Sequence, residues 1–170
     1  MSKVCTKCNQ EKPLSEFSNS SYTKDGLMYV CKECNRETNR LFRQTPSGIY
    51  TNIKARSKYY GRPFNMERQE FIKWYEDEPK ICAYCDVPEW ALPLLGDSNN
   101  QKRIKLNIDR IVNDMGYQVN NLALCCTRCN YIKSDFFTFD EMREIAQKYV
   151  KSHWSKILEK QSIRGENHEA

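Results

Sequence analysis

The cysteines have the most informative spacing in this sequence. Eight of the nine fall into four Cys-x2-Cys pairs. In such a pair both sulfurs can reach one ion at about 2.3 Å, and two pairs complete a tetrahedron. The spacing predicts two zinc sites, and an iron–sulfur cluster is the alternative. The first site comprises Cys5, Cys8, Cys31 and Cys34, and the second comprises Cys82, Cys85, Cys126 and Cys129.

Four thiolates would close the coordination sphere of each ion. No position then remains for water or substrate, so both zinc ions are predicted to be structural. The ninth cysteine, Cys125, adjoins Cys126 and could replace it as a ligand, but this would give a three-residue spacing. The three other pairs favour Cys126, and Cys125 is expected to be a small buried residue.

Composition indicates a small core that needs such metal staples. Of the 170 residues 39% are hydrophobic, and the mean hydropathy is −0.80. An odd number of cysteines does not form a closed disulfide set, and no apolar leader follows Met1. The sequence contains no run of about 18 apolar residues, which is the length expected of a membrane span. These features predict a protein of a reducing cytoplasm, bacterial or that of a phage-infected host, with its thiolates free for metal.

The net charge of +5 is unevenly distributed along the chain. Residues 36–62 contain seven basic side chains and one acidic one, whereas in residues 67–78 acidic side chains outnumber basic ones. The basic side chains of this block are Arg36, Arg40, Arg43, Lys54, Arg56, Lys58 and Arg62. A basic block of this kind is typical of a surface that binds polyanions. A solvated helix surface is the alternative interpretation.

Turn formers and apolar periodicity place the first elements. Residues 1–35 are expected to form loop and short hairpin. A helix is predicted over residues 47–60, with Ser47 as its cap and Gly61 ending it. A second helix is predicted from Met66 to Glu76, capped by Asn65. Its buried face would comprise Phe71, Trp74 and Tyr75.

The second half of the chain contains a predicted hairpin and a long helix. Residues 104–108 alternate apolar and polar side chains, and residues 121–125 look like the partner strand. A capping box formed by Thr138 and Glu141 begins the clearest helix, which is expected to end near residue 160. The polar tail after it is expected to fray. The fold class is therefore α+β.

The stretch from Cys82 to Lys133 resembles the HNH (His-Me finger) nuclease family in order, spacing and hairpin context. The matching residues are Cys82-Ala-Tyr-Cys85, Ile108-Asp109-Arg110-Ile111, Gly116-Tyr117, Asn121-Leu122, Cys126-Thr-Arg-Cys129-Asn130 and Lys133. The first four cysteines, with Glu11–Phe17 between them, resemble the zinc module that precedes phage-type HNH domains. This resemblance implies a ββα-metal motif pinned by the second zinc.

The resemblance also implies roles for individual residues. Asp109 and Asn130 would hold a catalytic Mg²⁺ or Mn²⁺, because carboxylate and amide oxygens suit hard ions. Asn121 would brace the loop between the strands, and Arg128 and Lys133 would contact phosphate. Each role has an alternative: Asp109 can cap or form a salt bridge, and an Asn after a cysteine pair can simply adopt a turn conformation.

Arg110 departs from the family's pattern, which has a general-base His at this position. A guanidinium group is always protonated and cannot accept a proton from water. Three interpretations remain open. Another residue, such as His153 or Tyr117, acts as the base. Alternatively, metal-bound water loses its proton directly while Arg110 stabilises the phosphate, or catalysis is lost. His168, in the tail, is given no role.

The resemblance implies a metal-dependent endonuclease acting on DNA, most simply double-stranded. Lys54, Arg56 and Lys58 would grip the backbone together with the first zinc module. A non-catalytic zinc-containing DNA-binding protein is the second hypothesis, and a protein-interaction adaptor is the third. The expected domains are a zinc module at 1–40, a basic helical connector at 41–78, an HNH domain at 79–136, a closing helix at 137–160 and a tail at 161–170.

Overall fold

The computed structural model describes residues 1–95 and 105–166, with side chains up to residue 160. The chain divides into two compact units, Met1–Asn52 and Ile53–Ala170. Within the described residues, six short strands form three antiparallel hairpins, and helices connect and follow them. The predicted α+β class is confirmed.

The first unit contains two hairpins and a helix that the sequence analysis did not predict. Its elements are β1 (Ser2–Val4), β2 (Glu11–Pro13), β3 (Phe17–Asn19), β4 (Leu27–Cys31) and α1 (Lys32–Phe42). Its hydrophobic cluster consists of Cys5, Phe17 and Cys31, so Phe17 is the one large apolar side chain buried beside the cysteines. A core this small is too little to hold the unit together without a metal or another staple.

Helix α2 (Pro46–Tyr59) begins in the first unit and ends in the second. The Thr45 hydroxyl accepts the Gly48 backbone N–H at 3.1 Å, so Thr45 and not Ser47 caps the helix. Pro46 then occupies the first helical position, where its missing N–H costs nothing.

Helix α3 spans Arg68–Asp77 and starts two residues later than predicted. Its cap is Glu67, which forms a reciprocal capping box with Glu70, and not Asn65. The Asn65 backbone N–H instead donates to Tyr117 O at 2.8 Å. Phe71 and Tyr75 are buried as expected, whereas Trp74 is half-buried.

The hairpin of the second unit pairs β5 (Asn107–Arg110) with β6 (Leu122–Cys125). The first strand therefore lies further along the chain than the predicted 104–108, of which Ile104 is outside the described residues. The connecting loop docks closely onto Pro63. At Gly116, φ is +67°, and an added Cβ would lie 2.3 Å from the Pro63 carbonyl oxygen, so this position requires glycine.

Helix α4 (Thr127–Lys133) follows β6, and a longer helical segment comes after it. The predicted Thr138–Glu141 capping box is present and begins α5 (Phe139–Ile145). A π-helical turn over Ala146–Val150 leads into α6 (Lys151–Glu166), which passes the predicted end at residue 160. His168 lies outside the described residues. No helix in the described part of the chain has the length and apolar character to cross a membrane.

Candidate functional site

The cysteines of the first unit converge as their spacing predicted. The sulfurs of Cys5, Cys8, Cys31 and Cys34 all lie within 4.8 Å of one another. The Cys5 sulfur accepts the backbone N–H groups of Cys31 at 3.3 Å and of Lys7 at 3.4 Å. Backbone hydrogen bonds, first of all that from Cys31, lower the pKa of Cys5 to about 6. These donors favour the thiolate form that binds metal.

The second group consists of Cys82, Cys85, Cys126 and Cys129, and all four are buried. The Cys85 and Cys126 sulfurs are 3.8 Å apart. A tetrahedron with zinc–sulfur bonds of about 2.3 Å has an edge of about 3.8 Å, so the sulfur set fits zinc. Cys126 belongs to this group and Cys125 does not. Burial raises the pKa of Cys125, which makes that thiol inert.

The C-terminal helical segment clamps the first turn of this second group. The Gln147 amide donates to the Tyr84 carbonyl at 2.7 Å, and Lys151 forms a 2.6 Å ion pair with Asp86. Arg143 donates to the Ala83 carbonyl. Gln147 lies on the π-helical turn, between Arg143 and Lys151 in sequence. Side chains from three consecutive helical turns therefore hold residues 83–86 in place. The position of Tyr84 is thereby set from outside the cysteine cluster.

Asp109 lies on β5 with its side chain only 10% exposed. One carboxylate oxygen, Oδ2, accepts the Tyr84 hydroxyl at 2.5 Å and lies 3.3 Å from the Lys133 ammonium. Among the described residues, Oδ1 has no hydrogen-bond donor. Burial, and then the charge of Asp109, raise the pKa of Tyr84 far above its usual range, so the phenol remains a donor. One carboxylate oxygen is held and the other is available.

Lys133 is fully buried, which corrects its predicted role as a phosphate contact. Its ammonium reaches the Arg110 carbonyl at 3.0 Å and Asn113 Oδ1 at 3.2 Å in addition to Asp109. Three acceptors match its three N–H donors. Lys133 therefore ties α4 to β5 and to the following loop, and it has no donor left for DNA.

Asn130 lies on the face of α4 that packs along β5. Thr127 on this helix accepts the Asn107 amide at 3.1 Å, and Lys133 reaches Asp109. Asn130 lies between these two contacts at helical spacing of three residues, so all three share one face. Asn107 and Asp109 likewise share one face of the strand. The structure therefore places Asn130 against the strand that carries Asp109, and its side chain is half-exposed.

Asn121 is 1% exposed and holds the loop between the two strands. Its Oδ1 accepts the Val112 N–H, and its Nδ2 donates to the carbonyls of Val112 and Gly116, each at 2.8 Å. This geometry is the one expected of a loop brace. The amide closes a ring of hydrogen bonds around residues 112–116.

Arg110 is 8% exposed and is occupied by protein contacts. Its guanidinium donates to the Asn113 carbonyl and to Asp135 at 3.4 Å, and it lies 5.5 Å over the Tyr117 ring. It also lines an open groove of about 680 Å³, together with Arg62. The group is therefore fixed in position at the edge of a space that a ligand can enter.

The two side chains considered as bases are placed differently. His153 is exposed on α6, a helix that packs mainly on residues 89–95. Tyr117 lies on the loop after β5, is 8% exposed, and has the Arg110 guanidinium over its ring. Of the two, only Tyr117 lies beside the Asp109–Arg110 segment.

The residues predicted to bind nucleic acid are exposed, with the exception of Lys133. Lys54, Arg56 and Lys58 are exposed on α2, and Ile53 and Ser57 of the same helix are buried. Arg128 is exposed in the first turn of α4, close in sequence to Asn130. The sequence analysis did not identify Tyr84 as a functional residue. Its position inside the Cys82–Cys85 turn was a possible signal, because a structural site needs no hydroxyl there and a small or apolar residue would serve equally well.

Comparison with known proteins supports the fold. The structure is similar to that of PacI, a rare-cutting HNH restriction endonuclease, with a TM-score of 0.56 and 23% sequence identity, over 91% of this chain and 96% of PacI. The chain therefore has an HNH-type fold. An uncharacterized protein of Acanthamoeba polyphaga mimivirus is 25% identical over 146 residues, covering 70% of this chain; the chain spans about a quarter of that protein's length. No profile of a known protein family matches the chain.

Proposed function

We propose that the protein is a metal-dependent endonuclease of the HNH type that hydrolyses phosphodiester bonds in DNA. The observation that carries the proposal is the Asp109 carboxylate, which is held at Oδ2 and open at Oδ1 beside the helix that bears Asn130. The HNH-type fold and the pair of oxygen donors support the same reaction class.

The donor set fits a hard divalent cation. A carboxylate oxygen and an amide oxygen are ligands that Mg²⁺ and Mn²⁺ accept. When bound, such an ion supplies Lewis-acid stabilisation to the phosphate and leaving oxygens. Asp109 and Asn130 would hold it, and the exposed Arg128, two residues before Asn130 on the same helix, would contact a phosphate of the bound DNA. The two cysteine groups would hold structural zinc and take no part in bond breaking.

Proton transfer at this site does not use Arg110. Its guanidinium cannot accept a proton, and its contacts to Asn113 and Asp135 fix it beside the open groove. From there it would stabilise negative charge on a phosphate. Of His153 and Tyr117, the two side chains considered as general base, Tyr117 is the one that lies beside the site. Direct loss of a proton from metal-activated water is the alternative.

Binding to DNA would rest on the exposed basic side chains of α2. Lys54, Arg56 and Lys58 project from one helix, and phosphate contacts of this kind supply affinity that falls steeply with salt. They carry no sequence information by themselves. Duplex DNA is the proposed substrate because Lys54 and Lys58 lie four residues apart on one face of α2, where both can contact one phosphate backbone.

The test is cleavage of supercoiled plasmid by the zinc-loaded protein in EDTA, Mg²⁺ or Mn²⁺. We expect divalent-dependent nicking, and Asp109→Ala should reduce it by about 10³-fold, since several kcal/mol of charge stabilisation is lost. Asp109→Asn is the conservative partner variant, because it keeps an oxygen acceptor beside the buried Lys133, which Asp109→Ala removes. Both variants should retain DNA binding.

The burial of Arg110 and its contacts within the protein favour a second candidate function. A side chain 8% exposed with three protein contacts can serve the scaffold alone, as in a zinc-containing DNA-binding protein without catalysis. Under that alternative the plasmid stays supercoiled with every divalent ion, while salt-sensitive DNA binding persists.

A further inference from the structure

Tyr84 connects two parts of the second unit that have different roles. Its backbone lies inside the Cys82–Cys85 turn, and its side chain reaches across to the Asp109 carboxylate. The residue is 0% exposed, and its ring packs on Phe139 with centroids 5.0 Å apart. Its position is therefore fixed at three points: the cysteine turn, the start of α5 and the carboxylate.

The C-terminal helical segment adds a fourth constraint. Gln147 donates to the Tyr84 carbonyl at 2.7 Å and to Asp86 at 2.9 Å, and Lys151 also binds Asp86. Asp86 follows the cysteine pair with a φ of +60°, a left-handed conformation that Asp tolerates in turns. The turn that carries Tyr84 is thereby held rigid on both sides.

The hydroxyl selects one of the two oxygens of Asp109. Both Tyr84 and Lys133 bind Oδ2, at 2.5 Å and 3.3 Å. Within the described residues no donor binds Oδ1, and the Asp109 side chain is 10% exposed. A carboxylate held at one oxygen by two donors cannot rotate freely about its last bond. Its second oxygen is then presented in a constant direction.

We infer that Tyr84 is a positioning residue, which fixes the Asp109 carboxylate so that Oδ1 is presented to the divalent cation. This inference rests on the proposed function, because it assumes that Asp109 binds such a cation. It adds a link between the structural cysteine group and the active carboxylate. Groups that orient a metal ligand in this way typically change metal affinity or activity by about 10- to 100-fold when they are removed.

The test is direct Mn²⁺ binding to the full-length, zinc-loaded protein, measured by electron paramagnetic resonance of the free ion. Tyr84→Phe removes the hydroxyl and keeps the ring. We expect it to retain both zinc ions and to weaken Mn²⁺ binding by about 10-fold or more. In the Asp109→Asn background the same substitution should have no further effect, because the carboxylate through which it acts is gone.

Tyr75→Phe is the matched control. Tyr75 is also a buried tyrosine of the second unit, 3% exposed, and its hydroxyl has no hydrogen-bond partner among the described residues. Its substitution should leave Mn²⁺ binding unchanged. Unchanged Mn²⁺ affinity in Tyr84→Phe would overturn the inference, and so would loss of the second zinc, which would make the hydroxyl a folding contact.

These measurements separate this inference from the proposed function. Mn²⁺ binding that depends on Asp109 and weakens in Tyr84→Phe supports the inference even if the plasmid is never cut. In that case the nuclease proposal fails and the positioning role stands. Absence of Asp109-dependent Mn²⁺ binding in the wild-type protein would overturn both.

Discussion

The two cysteine groups are built on the same local plan, yet only one of them adjoins a candidate active site. In each, the second cysteine pair follows a strand and opens a helix. Cys31 caps α1 and accepts the Cys34 N–H, and Cys126 caps α4 and accepts the Cys129 N–H. Even the asparagine after the last cysteine recurs. These features follow from the geometry of a cysteine pair and carry no functional information.

The differences lie in the strand opposite the helix and in what surrounds the cysteines. Strand β5 carries Asp109, whereas β3 (Phe17–Asn19) carries no carboxylate. All four cysteines of the second group are buried, but Cys8 and Cys34 of the first are half-buried. The same four-cysteine frame therefore links a strand to a helix in both units, and only in the second unit does it also lie beside a positioned carboxylate.

The largest expected effect is loss of one zinc ligand. Cys129→Ser should release the second zinc and unfold β5, β6 and α4, since structural zinc contributes about 10 kcal/mol or more to folding. Cys34→Ser should release only the first zinc and leave the second unit folded. Zinc content and amide NMR spectra measure both results. Unfolding of the second unit by Cys34→Ser would show that the two frames depend on each other.

A smaller effect is expected where a side chain holds the hairpin loop. In the second unit Asn121 makes three hydrogen bonds to the loop. In the first, backbone hydrogen bonds from Ser20 to Gly26 and from Gly26 to Thr23 hold the corresponding turn. Asn121→Ala should lower the free energy of unfolding by about 3 kcal/mol, because buried backbone groups lose their partners.

Urea unfolding of the zinc-loaded protein measures this change. Asn120→Ala is the control, because Asn120 is an exposed neighbour whose substitution should change stability by less than about 0.5 kcal/mol. Equal effects of the two substitutions would remove Asn121 as the brace of the loop.

Asn35 and Asn130 each follow the last cysteine of a group, so substituting both tests whether the role of Asn130 depends on more than this position. Asn130→Ala should slow plasmid nicking by about 10- to 100-fold, equivalent to about 1.4–2.7 kcal/mol, because one oxygen donor to the cation is lost. Asn35→Ala makes the same change after the last cysteine of the first unit and should leave the rate unchanged. A rate loss in Asn35→Ala alone would place the functional asparagine in the first unit.

The smallest effect concerns the charges on the exposed side of α2. Arg56→Ala should reduce the slope of log affinity against log salt by about 1 and weaken DNA binding modestly, since one phosphate contact is removed. Lys73→Ala on α3 is the control, because Lys73 is an exposed cation paired with Asp77 at 2.8 Å. Fluorescence anisotropy over a range of salt concentrations gives both slopes. Equal slopes for all three proteins would exclude Arg56 from the DNA interface.

Local sequence determined the features that depend on a few neighbouring residues. The Cys-x2-Cys spacing brought the eight sulfurs into two groups, and it excluded Cys125 because a pair of this spacing forms one specific tight turn. The Thr138–Glu141 capping box began its helix as predicted, since both partners lie within one turn. Helix ends chosen from single polar residues were less accurate: Thr45 and Glu67 compete with Ser47 and Asn65, and only packing decides between them.

Tertiary structure decided what the side chains of the site contact. In sequence, Lys133 looks like a solvent-exposed cation, but β5 and its loop enclose it and supply three acceptors. Tyr84 looks like a residue of a metal turn, but its hydroxyl meets a carboxylate 25 residues away. Such contacts depend on the register of β5 with β6 and on the docking of α4 and the C-terminal helices. Spacing along the chain does not predict these contacts, because the elements that they join are separated by no regular number of residues.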